Sequence, residues 1–299
     1  MSIPEELQAV TKTMIEDSVF EPLDDAHCHD PSNVILHDGL YYVWFSRNVN
    51  DHEYITAHYA TSPDGEVWTL RGEALPPGAA GEWDESGNLA PYVAVHDGKY
   101  YFFYTGFCKG DLSTRHLGVA VADTPEGPWV RFDDNPIFCQ SKDPNAWDNN
   151  MMGDSNVIYR DGKWWFYYKS KQVDQGANET QIGVATADSI TGPYTKYEGN
   201  PIFDGHAFSA WVHRDGVAAI KGQHWPEVLW SQDGINFVDT GGRLKNQSTG
   251  FYCPENFGNG VNNRGVAWGF DVVFKDGIRH IQKFTCSMLI SENGENNGK

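Results

Sequence analysis

Two aspartates stand in nearly the same local sequence: Asp30-Pro31-Ser32-Asn33-Val34-Ile35 and Asp154-Ser155-Asn156-Val157-Ile158. A carboxylate pair can divide proton transfer between a base and an acid, or between a base and a group that tunes the acid. A single Asp at a strand entry ordinarily serves to accept backbone N–H bonds. Two at matched places favour a functional reading. His206 is a third proton carrier, and Asn88, Trp147, Trp211, Trp268 and Glu255 could bind a polar, ring-shaped ligand. Amides and carboxylates take hydroxyls, and indoles offer a flat face. Such a set suits a sugar.

These residues acquire a common frame from five turns. A basic residue followed by Asp-Gly recurs at His37-Asp38-Gly39, His96-Asp97-Gly98, Arg160-Asp161-Gly162, Arg214-Asp215-Gly216 and Lys275-Asp276-Gly277. The Asp residues lie 59, 64, 54 and 61 positions apart. Asp-Gly between apolar runs signals a tight hairpin, because a type I′ turn needs positive φ at both central residues. Tyr41-Tyr42-Val43-Trp44-Phe45, Tyr100-Tyr101-Phe102-Phe103-Tyr104 and Trp164-Trp165-Phe166-Tyr167-Tyr168 follow the first three turns. A second element repeats downstream, as in Glu126-Gly127-Pro128-Trp129 with Asn135-Pro136-Ile137-Phe138, and Thr191-Gly192-Pro193-Tyr194 with Asn200-Pro201-Ile202-Phe203. Two hairpins in about sixty residues make a four-stranded unit, and radial repetition of such units is a β-propeller.

The expected fold is therefore all-β, a five-bladed β-propeller over residues 24–290. A short N-terminal helix is expected within residues 1–23, from Pro4 and the spacing of Leu7, Val10, Met14 and Ile15. Residues 291–299 read as a disordered tail. The five Asp-Gly turns are expected on one rim, at the first hairpin of each blade. Counting back seven to nine residues from each turn Asp reaches Asp30, Asn88 with Leu89, Asp154, His206 with Ala207, and Trp268. These positions should ring the mouth of the central channel, with Asp30 and Asp154 facing each other.

Composition narrows the partners. The net charge of −19 opposes nucleic acid and anionic membranes. The five cysteines include no CxxC pair and are odd in number, so neither a zinc site nor a complete disulfide framework is indicated. The start, Met-Ser-Ile-Pro-Glu-Glu, has no signal-peptide pattern, and no apolar run nears the roughly 20 residues of a membrane span. A cytoplasmic location is expected. No cofactor is expected, with room left for a structural divalent cation in the channel. His27-x-His29-Asp30 leaves His29 open as a metal ligand. Cys28 beside His29 makes a poor thiol–imidazole pair, since neighbours on a strand face opposite ways.

The first-blade residues, Asp30 to Ile35 and His37-Asp38-Gly39-Leu40-Tyr41-Tyr42-Val43-Trp44, resemble the five-bladed glycosidases of family 43 and its relatives. Gly81-Glu82-Trp83-Asp84-Glu85-Ser86-Gly87-Asn88-Leu89-Ala90-Pro91, Gly205-His206 and Gly250-Phe251-Tyr252-Cys253-Pro254-Glu255-Asn256-Phe257 resemble glycoside hydrolase family 117, the α-1,3-(3,6-anhydro)-L-galactosidases. The resemblance covers roughly residues 24–285. It implies an exo-acting, inverting enzyme that releases a terminal anhydro-sugar from agar-derived oligosaccharides. By the same resemblance Asp30 matches the general base, Asp154 a second site aspartate and His206 an unusual general acid. The chain departs from the pattern at Ala207, where Glu is typical. The proton must then come from His206 or Glu255, or the substrate differs. Carboxylates near His206 are expected to raise its pKa above the usual ~6.5 and keep it charged. The family that the chain resembles often carries a longer N-terminal helical segment used in dimer exchange; here that segment is short, and it leaves room for a homodimer through the N-terminal helix. The competing readings are a related α-glycosidase, a glycoside phosphorylase, and a non-catalytic sugar-binding propeller.

Overall fold

A computed structural model describes residues 2–19, 26–48, 54–108, 115–176, 178–222, 226–246, 248–254 and 265–290. These residues form five antiparallel sheets, each one blade of a propeller. The chain begins with a 3₁₀ turn, Glu5–Leu7, and a strand, β1 (Lys12–Val19). Blade one holds β2 (His27–His29), β3 (Ile35–His37), β4 (Leu40–Asn48), β5 (Thr56–Ser62) and β6 (Thr69–Leu75). Blade two holds β7 (Asn88–His96), β8 (Lys99–Gly106), β9 (His116–Ala122) and β10 (Val130–Arg131). Blade three holds β11 (Asn150–Arg160), β12 (Lys163–Lys171), β13 (Gln181–Ala187), β14 (Thr195–Lys196) and β15 (Phe203–Asp204). Blade four holds β16 (Phe208–His213), β17 (Gly216–Lys221), β18 (Glu227–Ser231) and β19 (Val238–Arg243). Blade five takes β20 (Ser248–Tyr252), β21 (Trp268–Lys275), β22 (Ile278–Cys286) and, as its outer strand, β1.

The turns explain themselves. Asp38, Asp97, Asp161 and Asp276 have φ of 48–54°, and their glycines 73–82°, as a two-residue type I′ loop requires. In blade four the loop slips by one residue: His213 pairs with Gly216, and Arg214 is left-handed with φ 49°. The fifth turn differs in another way. It joins β21 to β22, the second and third strands of its blade, whereas the other four join first to second. Alternate hairpins of a blade lie at opposite ends, so the five turns do not share one rim. Blade five is one strand out of phase because the N-terminus supplies its last strand.

That closing strand also corrects the expected N-terminal helix. Only Glu5–Leu7 coil, and β1 then pairs antiparallel with β22, Lys12 opposite Cys286. An unpaired edge on β22 would leave a row of backbone groups unbonded, and β1 covers it. Leu7, Val10 and Met14, whose spacing suggested a helix, are spent on the core between blades four and five. Leu7 is fully buried there beside Trp211 and Trp230. The helix invoked for a dimer does not form.

Each of the five blade interfaces has its own apolar cluster, around Trp44 with Phe102, Phe103 with Phe166, Tyr167 with Ala210, Trp230 with Phe284, and Phe45 with Phe270. Burying side chains of this size contributes about 1.5–3 kcal/mol each. Amides stitch the inner strands together. Asn33 of blade one donates to Val93 O (2.7 Å) and accepts from Val93 N (2.9 Å). Asn156 of blade three accepts from Ala210 N in blade four at 3.0 Å. The Ser-Asn-Val part of the sequence repeat is thus blade-to-blade bonding.

Candidate active site

The inner strands of all five blades surround one cavity, lined by Asp30, Tyr92, Asp154, Ser209 and Phe251 among others. Four of these strands carry a left-handed residue at the mouth: Asp30, Ala90 and Asp154 with φ 49° each, and Gly250 with φ 65°. Pairing slips there, between Leu89 and Tyr92, Gly153 and Asn156, and Thr249 and Tyr252. In blade one the same break separates β2 from β3. Such a bulge takes one residue out of the ladder and re-aims its side chain. Asp tolerates this conformation better than most residues, though at some cost. In two blades that side chain is a carboxylate directed into the channel. Blade four, regular from Phe208 to His213, has no such break.

Each carboxylate has its own partners. Asp30 Oδ2 lies 2.7 Å from His29 Nδ1 and 3.3 Å from the Ser46 hydroxyl. His29 Nε2 lies 3.1 Å from Asn48 Oδ1, so both ring nitrogens face oxygens and neither is free for a metal. Burial would raise the Asp30 pKa, but His29, with Lys169 and Arg279, outweighs it and holds the carboxyl well below its usual range. Asp154 Oδ2 accepts from Lys169 Nζ at 2.5 Å, the lysine side chain being 8% exposed. Among the described residues no group of three His, Cys, Asp or Glu is placed to hold a metal ion. Cys28 turns into the core between blades five and one.

His206 joins this cluster electrostatically, but in the opposite sense to the expectation. Burial lowers its pKa and the Lys169 charge adds to that; Asp154 and Asp30 oppose them, and Arg115 lowers it further. The net shift is downward. Its Nδ1 lies 3.3 Å from Thr180 Oγ1, whose own hydrogen goes to Gly205 O at 2.6 Å. Nδ1 therefore donates, and Nε2 is the nitrogen left to carry a mobile proton.

The other candidates fall elsewhere. Asn88 is fully buried; its oxygen takes Ala57 N–H at 2.8 Å and its NH₂ goes to Leu75 O at 3.0 Å and Pro76 O at 3.4 Å. Nothing remains for a ligand. Trp147 lies against Tyr168 (5.6 Å between rings) and fills the space over Gly183, as Trp83 does against Tyr104 and Gly118 in blade two. Both are followed by an aspartate bonded to that tyrosine, Asp148 and Asp84, so Trp-Asp is a structural repeat. Trp268 packs against Trp68 and Tyr41, between blades five and one. It misses the channel because its blade is out of phase. Trp211 lines the cavity wall, held by Phe251. Glu255 lies outside the described residues.

Lys169, Ser46 and Thr105 were not anticipated, yet each stands seven residues after its turn glycine, Gly162, Gly39 and Gly98. Counting forward from the turns, as well as back, reaches the second strand beside each bulge. Thr105 Oγ1 there accepts from Asp154 N at 3.3 Å. Arg115, just before β9, carries no repeat signal.

The five-bladed propeller is a fold that this chain shares with solved glycoside hydrolases. The model for "Glycosyl hydrolases family 43" matches residues 21–156. Over most of its length the chain is similar to Zg3597, a family 117 glycoside hydrolase from the marine bacterium Zobellia galactanivorans: TM-score 0.82, 24% identity, 95% of this chain and 92% of that one. An endo-arabinase from Bacteroides thetaiotaomicron shares the fold at TM-score 0.61 and 16% identity, over 90% and 96% of the two chains. In sequence, 103 residues are 34% identical to extracellular endo-α-(1→5)-L-arabinanase 2 of Bacillus subtilis (strain 168). That stretch is 30% of this chain and spans about a fifth (21%) of the arabinanase.

Proposed function

We propose that the protein is a glycoside hydrolase that removes a terminal sugar by inverting, exo-acting hydrolysis. The observation that carries this reading is the pair Asp30 and Asp154, set into one channel by the same left-handed bulge in blades one and three. Asp30 is the general base: held ionised, it takes a proton from the water that attacks the anomeric carbon. His206 Nε2 gives a proton to the leaving oxygen. Asp154, neutralised by Lys169, orients the sugar and sets the local field. Inversion needs acid and base roughly 6.5–9.5 Å apart, with water between. Ala207 lines the cavity where a Glu acid would stand, which is why the proton falls to His206.

The likeness to a family 117 enzyme favours an anhydro-L-galactose-type sugar from marine oligosaccharides as the released unit. The test is incubation with neoagaro-, porphyran- and arabino-oligosaccharides, followed by proton NMR of the first product formed. One terminal sugar of inverted anomeric configuration is expected. Internal cleavage or retained configuration would overturn the exo or inverting assignment, and no release from any of them the reading as a whole.

A further inference from the structure

Among the described residues Arg115 is a cation with no ion-pair partner. Its backbone is pinned at the head of β11, where Arg115 O accepts from Met152 N at 3.3 Å and from Gln140 Nε2 at 3.1 Å. Among the described residues its side chain meets soft partners. Nη1 lies 3.8 Å from Met151 Sδ, and the guanidinium carbon 5.8 Å from the Phe107 ring centroid. Nε is buried with no hydrogen-bond partner among the described residues. A thioether is a weak acceptor, so the half-buried guanidinium keeps donor capacity for an anionic partner.

The carboxylates nearby do not relieve it. Asp154 is taken by Lys169 and Asp30 by His29. Arg115 O bonds Met152 N, two residues before Asp154 on β11, which sets Arg115 beside the bulge at the channel mouth, within reach of both charges. Composition does not account for it either: the chain has 22 Lys and Arg against 41 Asp and Glu, so cations here are scarce. In the cavity lining, Ser155 Oγ and Thr249 Oγ1 are buried without partners among the described residues and would suit sugar hydroxyls.

We propose that Arg115 seats an oxyanion carried by the substrate sugar, a carboxylate or a sulfate ester, beside the two channel aspartates. This deepens the hydrolase reading and rests on it for the sugar. The occupant completes the local chemistry in a second way. Lys169 and Arg115 are the charges that hold His206 down, and an anion against Arg115 offsets them. A charged substrate would thus help to protonate its own acid.

The experiment is calorimetric titration of the intact protein with D-galactose, D-galacturonate, D-galactose 6-sulfate and inorganic phosphate, using wild type, Arg115→Met and Arg115→Lys, each checked for melting temperature. A charge-assisted bond predicts that wild type binds an acidic sugar roughly tenfold or more tighter than galactose. Arg115→Met should erase that preference and Arg115→Lys restore part of it. Galacturonate against the 6-sulfate separates the two anions. No preference in wild type, no binding of either acidic sugar, or a preference surviving in Arg115→Met would overturn the proposal. So would tight phosphate binding with no acidic-sugar preference, which would make the anion a co-substrate. Acidic-sugar binding without hydrolysis of any oligosaccharide would sink the hydrolase reading alone; hydrolysis of neutral substrates without acid preference would sink this inference alone.

Discussion

Lys169 and Asp154 form an ion pair at 2.5 Å in which the lysine side chain is buried and the carboxylate opens on the channel. The same lysine lowers the pKa of both Asp30 and His206, so one cation sets the field for the whole site. Lys169→Met should therefore move both groups upward. Titration of the His206 ring protons by NMR should show its midpoint displaced to higher pH, and turnover should fall by roughly tenfold or more as the sugar loses its fixed Asp154. An unmoved His206 midpoint would confine Lys169 to packing.

The pH profile has a definite sign. A base works while ionised, so the acid limb should lie below the ordinary carboxylate range, where the lowered Asp30 pKa falls. An acid works while protonated, and His206 is lowered from 6.5, so activity should fall as pH rises through a value below 6.5. The window of kcat/KM is then acidic. In His206→Ala the alkaline limb should disappear, with a much larger loss on a natural glycoside than on an aryl glycoside of the same sugar. Equal losses on both substrates would make His206 a binding residue.

Much of this was legible in the sequence, for a physical reason. A type I′ loop favours Asp-Gly, so Asp38, Asp97, Asp161 and Asp276 announce their hairpins directly. The bulge aspartates stand eight and seven residues before their turn aspartates, Asp38 and Asp161, which made Asp30 and Asp154 findable. The count failed at Trp268 because β1 closes blade five and shifts its strand phase, a long-range pairing that local sequence does not encode. Asn88 and Trp147 have the chemistry of sugar ligands, yet backbone groups and glycines across the blade claimed them first. Lys169 lay hidden because a lone lysine ending an aromatic run looks like a solvated strand end.

Asn88 supplies a contrast between stability and chemistry. Asn88→Ala should unpair Ala57 N–H and Leu75 O, at a cost of about 1–3 kcal/mol. For a chain of this size that is a melting point lower by several degrees. Turnover per folded molecule should stay close to wild type, measured well below the transition. A large loss in turnover with an unchanged melting point would return Asn88 to the site.

The N-terminal latch should be pH-dependent. Glu6 bonds His213 Nε2 at 2.8 Å and Arg214 Nε at 2.7 Å. Burial pushes its pKa up, but these two partners win and hold it well below 4.5. A depressed carboxyl stabilises the fold above its unfolded pKa and loses that contribution as pH falls toward the folded one. Glu6→Gln should lower the melting temperature at neutral pH, with the difference from wild type shrinking as pH drops below about 4. A difference that does not vary with pH would remove the charge from the latch.

The most direct test of the central claim is the turnover of Asp30→Asn on whichever oligosaccharide wild type cleaves, with melting temperature recorded alongside. General-base assistance contributes roughly 10²–10⁴ in rate, so a loss of at least about 100-fold is expected. The melting temperature should change little, because Asn can keep the bonds to His29 and Ser46 and tolerates the same left-handed backbone. A folded Asp30→Asn protein with near wild-type turnover would contradict the account, and would take Asp30 out of the mechanism.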